Sequence, residues 1–456
     1  MMKTRYNIYI MSIIVLLIFW GCDDFLKEEP KGLITPDEFF NSEAEADLAI
    51  DGLVARMRTG EVTGEHMVYY QFLGTDLGVV ARNQLPGINL VGVYVFDQSN
   101  GRVAIMWREL YAGIKDANLV INRIADSPSL SDEEKGRLIA QAQFFRAYIY
   151  YRLTTMWGDV PFWKDEIDIE EVSLLGKTPA STIQADMIGE LQSAINSGLL
   201  STGRWNQNDG KVTVWAVKML KAHYHMWRAE YNAARTELID ITQNSPHGPD
   251  LAPFGDIFRE GNDLNNEIIF GVEFLRGIIS NNIHNVAHPN AGAEADAPFA
   301  LQAFEELDIF TRAALITLRR SFADSFNPND ARLPYTVFDS HTLLDGTEVA
   351  FNHIYITKFL RAKVPVSDPL FINPEPDGQT SQPNRLMRLA DAYLMLAEAE
   401  FMIGGSSAAA LAAINKVRQR ANLPDLANLT LANIQQERAW ELAGETMSSG
   451  LIAKHK

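Results

Sequence analysis

The strongest constraint on the fold of this chain is a long apolar helix that ends abruptly. Residues 136–163 read GRLIAQAQFFRAYIYYRLTTMWGDVPFW, and apolar side chains recur along them at spacings of three and four. Such spacing places a continuous apolar stripe on one helix face. Phe144, Tyr148 and Tyr151 form a second stripe beside it, so the helix is predicted to be buried on two sides. Gly158 is expected to end the helix, because glycine adopts the cap conformation readily.

Further segments with a helical period frame a loop-rich middle. Helical pairs are predicted near residues 101–157, 181–228, 211–242 and 385–443. A pair of short amphipathic helices resembles a tetratricopeptide unit, which buries its apolar face only against neighbouring pairs. The predicted fold class is therefore mainly α, with tetratricopeptide-like helical pairs as the scaffold and a loop-rich region containing short strands.

Two stretches lack a helical period. Residues 60–100 mix glycine, asparagine and proline with isolated aromatic residues, and residues 244–384 hold most of the prolines. The first is predicted to form long loops with short extended pieces, and loops of that length in a compact protein are usually functional. The second is predicted to be an irregular insert with a few helices, such as residues 298–307. Short strands are predicted at residues 267–274, 330–337 and 355–360. Helix is predicted to resume at residue 384.

The N-terminus has the features of a bacterial lipoprotein signal. Two basic residues precede an apolar run at residues 8–20, and Gly21 stands directly before Cys22, the one cysteine of the chain. The run is short for a membrane span and suits a signal peptide. Residues 1–21 are therefore predicted to be a signal peptide and Cys22 to be lipidated. The alternative is an uncleaved N-terminal anchor.

The chain is acidic, with a formal net charge of -18. Such a chain repels nucleic acid and anionic lipid headgroups, so no nucleic-acid partner is expected. The sequence contains none of the HExxH, GxSxG or GxxxxGK patterns, which are signatures of common proteases, hydrolases and nucleotide-binding proteins. Accordingly, no catalytic residue, metal ion or other cofactor is predicted.

Several motifs resemble those of one known family, the SusD/RagB family of surface glycan-binding lipoproteins. In that family an FxRAxxYxxL helix runs into WGDVP, as residues 143–163 do here (QFFRAYIYYRLTTMWGDVPFW). The segments RLADAYLMLAEA, ALAAINKVRQRA and IQQERAWELAGE resemble the family's closing helices, RxADxxLMxAEA, ALxxINxVRxRA and IxxERxxELxGE. Beyond Glu445 the family pattern is not continued, which predicts an atypical or truncated C-terminal end.

The resemblance implies one SusD-like domain over residues 22–456. Its N-terminal part would span about 22–243, a loop-rich insert about 244–384, and closing helices about 385–443. The implied function is to bind oligosaccharides or polysaccharides at the cell surface and pass them to a SusC-like TonB-dependent transporter, without enzymatic activity. The implied location is the outer membrane, with the protein anchored through lipid on Cys22 and facing the exterior.

Sugar binding needs flat aromatic faces for the apolar side of the rings and polar side chains for the hydroxyl groups. In the family, ligand residues commonly come from loops of the first region and of the insert. The ligand-binding candidates in these loops are Tyr70, Asp76, Arg82, Asn83, Tyr94, Phe96, Asn282, His284 and Asn285. The polar cluster of the insert extends to Asn281, His288, Asn290 and Phe299. The alternative for each aromatic residue is that it pins a long loop.

The sequence leaves two other classes of function open. A helical-repeat adaptor would bind only protein. A surface glycoside hydrolase would need two carboxyl groups roughly 5–10 Å apart across the sugar. Adjacent acidic residues such as Glu305 and Glu306 fit a solvated helix face better than such a pair.

Overall fold

The computed structural model describes residues 39–81, 97, 99–258, 262, 265–275, 278–279, 281, 287–307, 309, 311, 315–360 and 381–445. The elements of the N-terminal part are α1 (Glu43–Met57), α2 (Glu65–Phe72), β1 (Gly78–Val79), α3 (Gly101–Asp126), α4 (Asp132–Trp157), α5 (Ile169–Leu174), α6 (Ala180–Asn196), α7 (Val214–Trp227) and α8 (Tyr231–Asn244). The insert contributes α9 (Phe254–Ile257), β2 (Ile268–Val272), α10 (Ala300–Glu306), β3 (Thr317–Leu318), α11 (Arg320–Ala323), β4 (Val337–Thr342), β5 (Glu348–Ile356) and β6 (Asn384–Arg388). The closing helices are α12 (Leu389–Gly404), α13 (Ala408–Arg420) and α14 (Leu431–Leu442).

The scaffold is a row of neighbouring helices. Helix α3 packs on α4, α4 on α6, α6 on α7, and α7 on α8. The row then continues from α8 to α12, although residues 245–388 separate these two helices in the chain. Helix α12 in turn contacts α13 and α14. The predicted mainly α architecture of packed helical pairs is confirmed, and no helix in the described part of the chain combines the length and hydrophobicity needed to cross a bilayer.

Helix α4 forms the centre of the main core, as its two apolar stripes predict. Phe144, Tyr148 and Tyr151 are all buried, and Phe144 packs edge-on against Phe270 of β2, with ring centroids 4.7 Å apart. The Ser131 hydroxyl accepts a hydrogen bond from the Glu134 amide, and the Glu134 carboxylate accepts one from the Ser131 amide. This reciprocal cap satisfies two amides that the first helical turn leaves without partners.

The helix ends where the sequence predicts. Gly158 has φ of +73°, a backbone conformation that side chains with a Cβ rarely adopt.

The prediction of loops throughout residues 60–100 is wrong at α2. This helix lies between two cores: Met67 is buried in the main core, whereas Val68 and Phe72 are buried in a second core with residues of the insert. Its apolar residues therefore serve two separate surfaces. They do not form the single stripe by which a helix is usually recognised from sequence.

The prediction of helix from residue 384 onward is also wrong for the first five residues. These form β6, which pairs antiparallel with β2 and is buried along its whole length. Its sequence, NRLMR, lacks the alternation of apolar and polar residues by which a strand is recognised. The partner strand, more than a hundred residues earlier in the chain, decides its conformation.

The strands of the insert are shifted from their predicted positions. The strand predicted at 267–274 is confirmed as β2, but the other two are β4 and β5. Leu333–Tyr335 and Thr357–Phe359 are instead single 3₁₀ turns. Pro334 has no amide hydrogen to donate to a strand ladder, which accounts for the first of these shifts.

A network of buried charged side chains joins the insert to the closing helices. Arg388 forms ion pairs with Glu267 (2.6 Å) and Glu441 (3.1 Å), and Arg332 forms one with Glu441 (3.2 Å). Lys358 pairs with Glu445 at 2.8 Å. The members of this charge network are Glu267, Asp330, Arg332, Lys358, Arg388, Arg420, Glu437, Glu441 and Glu445.

Candidate ligand-binding cleft

A four-stranded sheet brings the first loop region and the insert together. Its strand order is β1-β3-β5-β4. Gly78 and Val79 of β1 pair with Leu318 and Thr317 of β3, and Leu318 pairs in turn with Ile354 of β5. Backbone pairing therefore joins the two regions in which ligand residues are predicted.

A cleft of about 400 Å³ opens along this sheet. Its apolar lining residues are aliphatic and its polar ones carry amide, hydroxyl, imidazole and guanidinium groups. The cleft is lined by Val79, Thr317, Leu318, Arg319, Arg320, Ser321, Asn352, His353 and Ile354. We call these residues the sheet cleft. The polar groups have the chemistry that recognises hydroxyl groups of a ligand.

The buried carboxylate of Glu294 fixes one wall of the sheet cleft. It accepts hydrogen bonds from the backbone amides of Asn352 (2.6 Å) and His353 (3.1 Å) and from the Tyr355 hydroxyl (2.6 Å). His353 Nδ1 also lies 3.1 Å from this carboxylate. Burial alone would raise the pKa of Glu294, but the hydrogen bonds from His353 and Tyr355 lower it. Glu294 therefore acts as an ionised anchor that orients the amide of Asn352 and the ring of His353.

Two arginines that directly follow β3 also line the sheet cleft. Arg320 Nη1 lies 2.6 Å from Asp339 Oδ2 and 3.7 Å from Asp324 Oδ1. The hydrogen bond to Asp339 raises the pKa of the Arg320 guanidinium. Arg320 is thus a charged but already paired side chain, whereas Arg319 beside it is half-buried.

An aromatic ring lies exposed on the element that carries Glu294. Phe299 precedes α10 and is 59% exposed, with φ of +64°. A bulky residue rarely adopts this conformation, and such strain clusters at functional positions. Phe299 is five positions after Glu294 in the chain, so their Cα atoms lie at most about 18 Å apart. An oligosaccharide of several rings would bridge such a distance.

Two family models match the chain. Residues 24–197 match the model described as starch-binding and associating with the outer membrane, and residues 351–448 match the SusD family model. The chain belongs to the SusD/RagB family. It is 28% identical to SusD-like protein P25 of Formosa agariphila, over 95% of this chain and 87% of that protein.

Solved structures of SusD-like proteins share the fold. A laminarin-binding SusD-like protein superposes with a TM-score of 0.76 at 22% identity, covering 91% of this chain and 93% of the other. Surface glycan-binding protein A from Bacteroides thetaiotaomicron, solved in complex with laminarihexaose, superposes with a TM-score of 0.73 at 19% identity, covering 91% and 90% of the two chains. The predicted SusD-like helical fold is confirmed.

Of the nine ligand-binding candidates predicted from sequence, Tyr70 and Asp76 lie within the described residues. Tyr70 is half-buried on α2 and packs against the main core, and burial raises its pKa to about 12 despite the nearby charge of Arg102. Asp76 is exposed in the turn between α2 and β1. Arg82, Asn83, Tyr94, Phe96, Asn282, His284, Asn285 and the lipidation candidate Cys22 lie outside the described residues.

The wider polar cluster of the insert divides into two groups. Asn281 is buried and donates hydrogen bonds to the Gln382 carbonyl and the Asn384 side chain, and His288 is also buried. The Asn290 side chain accepts a hydrogen bond from the Ala293 amide in a turn. These contacts stabilise the insert itself. Phe299, by contrast, is presented to solvent.

Sequence reasoning missed Glu294, Arg319, Asn352 and His353. Glu294 accepts hydrogen bonds from Asn352 and His353, which are 58 and 59 positions further along the chain. A local sequence pattern does not predict such distant contacts. Arg319 and Arg320 form an adjacent basic pair in an acidic chain. That pair is a signal that could have been noticed.

Proposed function

We propose that this SusD/RagB family member binds oligosaccharides or polysaccharides at the outer face of the outer membrane. It passes them to a SusC-like TonB-dependent transporter. The observation that carries the proposal is the sheet cleft, an open polar surface whose walls come from both loop-bearing regions. One structurally similar SusD-like protein binds laminarin, and another was solved in complex with laminarihexaose; both ligands are glycans.

The sheet cleft and Phe299 supply the two kinds of contact that sugars need. Asn352, His353 and Ser321 offer hydrogen-bonding groups, while Phe299 offers a flat apolar face. We extend the proposed site to the sequence candidates Asp76, Arg82, Asn83, Tyr94 and Phe96, and to Asn282, His284 and Asn285. Tyr70 packs against the core, which favours a supporting role for it.

We further propose that the cleft binds without breaking bonds. Glycoside hydrolysis needs a carboxylic acid with a raised pKa and a second carboxylate. The described lining of the sheet cleft contains no carboxylate, and the pKa of Glu294 beneath it is lowered. Incubating the purified protein with a bound glycan should leave the chain length unchanged, and shortened products would support the hydrolase alternative.

The binding test compares Phe299→Ala with a matched control, Leu174→Ala. Leu174 is also exposed but lies on α5. Affinity electrophoresis against a panel of polysaccharides should show retardation of the wild type. Loss of one aromatic contact should weaken binding by roughly 3- to 10-fold, whereas Leu174→Ala should bind as the wild type does. No retardation by any polysaccharide, together with a stable transporter complex, would favour the protein-only adaptor.

The membrane anchor is tested separately. Replacing Cys22 with Ala should release the protein from the membrane fraction, because the lipid is attached to that thiol. Ser12→Ala in the same segment is the control and should remain with the membranes. Sedimentation of both variants with membranes would count against lipid anchoring. Copurification of the wild type with the transporter tests the transfer step.

A further inference from the structure

Arg319 is an arginine without a counter-ion. Its Nε atom is buried and has no hydrogen-bond partner, and no carboxylate in the described part of the chain forms an ion pair with it. Its neighbour Arg320, by contrast, is paired with Asp339. Arg319 therefore carries a positive charge that no ion pair among the described residues compensates.

The backbone of Arg319 is held at the end of the sheet. The Arg319 amide donates a hydrogen bond to the Leu77 carbonyl at 2.9 Å, directly before β1. The preceding residue, Leu318, is held between β1 and β5. Burying the Nε hydrogen without an acceptor is unfavourable, because Nε loses water contacts without gaining protein ones. An anionic ligand group in the cleft would stabilise the guanidinium through its charge.

The charge also stands out from the rest of the molecule. The chain as a whole carries a formal charge of -18, yet the described lining of the sheet cleft holds two arginines and no carboxylate. The guanidinium of arginine matches carboxylate and sulfate groups in a bidentate geometry. The remaining polar lining, Ser321, Asn352 and His353, suits sugar hydroxyl groups.

We propose that the sheet cleft selects glycans that carry carboxylate or sulfate groups, with Arg319 as the residue that pairs with the anionic group. This inference rests on the proposed glycan-binding function and names the class of glycan. A neutral glycan would leave the Arg319 charge dehydrated and without a partner. An acidic glycan replaces the lost water contacts with charge-assisted hydrogen bonds.

The test measures affinity of the full chain for three probes by isothermal titration calorimetry. Polygalacturonate carries carboxylates, carrageenan carries sulfates, and laminarin is neutral. At least one of the acidic probes should bind roughly tenfold or more tightly than laminarin, and which one does so distinguishes carboxylate from sulfate. Raising the salt concentration from about 50 mM to about 500 mM should weaken the binding of the acidic probes, because salt screens exposed charges.

Variants locate the effect at Arg319. Arg319→Gln should lose roughly tenfold or more of the affinity for the acidic probe and leave laminarin binding unchanged. Arg319→Lys keeps the positive charge but not the planar guanidinium that binds an anion in a bidentate geometry. Its affinity for the acidic probe should lie between that of the wild type and that of Arg319→Gln. Arg108→Gln removes an exposed arginine of α3 and should match the wild type. Circular dichroism confirms that each variant is folded.

The outcomes separate the two proposals. If laminarin binds as tightly as the acidic probes, selection for acidic glycans is overturned while glycan binding stands. If an acidic probe binds Arg319→Gln as well as it binds the wild type, the assignment of Arg319 is overturned. If none of the three probes or the wider panel binds the wild type, the glycan-binding function itself is contradicted.

Discussion

Glu441 contacts guanidinium groups from three separate parts of the chain. Its partners are Arg332 of the insert, Arg388 at the end of β6, and Arg420 at the end of α13. Glu441, Arg332 and Arg388 are buried, and the Arg420 side chain is 6% exposed. Burying charge is unfavourable unless it is paired, and Glu441 is the carboxylate that these three arginines share.

We expect Glu441→Gln to lower the free energy of unfolding by about 3–5 kcal/mol, because it removes one buried carboxylate that pairs with three arginines at once. Urea denaturation at neutral pH followed by circular dichroism measures this change. Glu43→Gln is the control, since Glu43 pairs with Arg137 at 2.8 Å near the surface. A surface pair contributes less than about 1 kcal/mol, and equal losses in the two variants would contradict a special role for the charge network.

The pKa of Glu441 also determines how the free energy of unfolding depends on pH. Burial alone would raise the pKa of Glu441, but Arg420, Arg388 and Arg332 hold it well below its model-compound value of 4.5. A carboxyl group whose pKa is lowered by folding stabilises the protein above its unfolded pKa, and this stabilisation is lost as the pH falls.

We therefore expect the free energy of unfolding to decrease as the pH is lowered below about 4.5. Asp391 and Glu445, whose pKa values are also lowered, act in the same direction. The decrease should be smaller in Glu441→Gln, because the variant lacks one of the titrating groups. Urea denaturation over a series of acidic pH values measures how the free energy of unfolding changes with pH in the wild type and in the variant. The same dependence in both proteins would show that Glu441 does not contribute to it.

At the scale of the element, the N-terminus of α4 has a matched pair of serines. Ser131 caps the helix through its hydroxyl, whereas Ser129 two residues earlier is exposed. We expect Ser131→Ala to destabilise the protein by about 1 kcal/mol, which is typical for loss of a capping side chain. Ser129→Ala should be nearly neutral. Thermal unfolding of the two variants compares them, and an equal loss from Ser129→Ala would mean that the cap itself contributes little.

At the scale of the whole molecule, the insert interrupts one helical pair. Helices α8 and α12 pack side by side, while the chain between them forms β2 to β6 and the sheet cleft. Strand β2 is buried in the main core and pairs with β6, which leads directly into α12. The charge network adds contacts from Arg332 and Lys358 to α14 and its end. Scaffold and insert therefore share one interior.

This arrangement predicts that scaffold and insert unfold together. Differential scanning calorimetry should show a single transition whose calorimetric enthalpy equals the van't Hoff enthalpy, because neither part keeps its buried charges satisfied alone. Glycan or salt should shift the transition without splitting it. Two resolved transitions would show that the insert is a separate folding unit.

The helical scaffold could be predicted from sequence because its signals are local. The stripes on α4, its Ser131 cap and Gly158 all lie within one stretch of chain, and each works through contacts between near neighbours. The motifs of the closing helices are likewise contiguous in sequence, so their resemblance to the family can be seen without the structure. The structure shows what the charged residues of these motifs do. They form ion pairs in the charge network, and they are Arg388, Arg420, Glu437, Glu441 and Glu445.

The sequence by itself determined the mainly α fold class, the limits of the long helices and the family. Each of these depends on periodic patterns or on motifs of contiguous residues. The tertiary structure alone decided that residues 384–388 form a strand, that α2 lies between two cores, and that Glu294 holds His353 beside Arg319. Each of these depends on partners distant in the chain. Pairing and burial against such partners override local pattern, because the free energy of buried contacts exceeds intrinsic backbone preference.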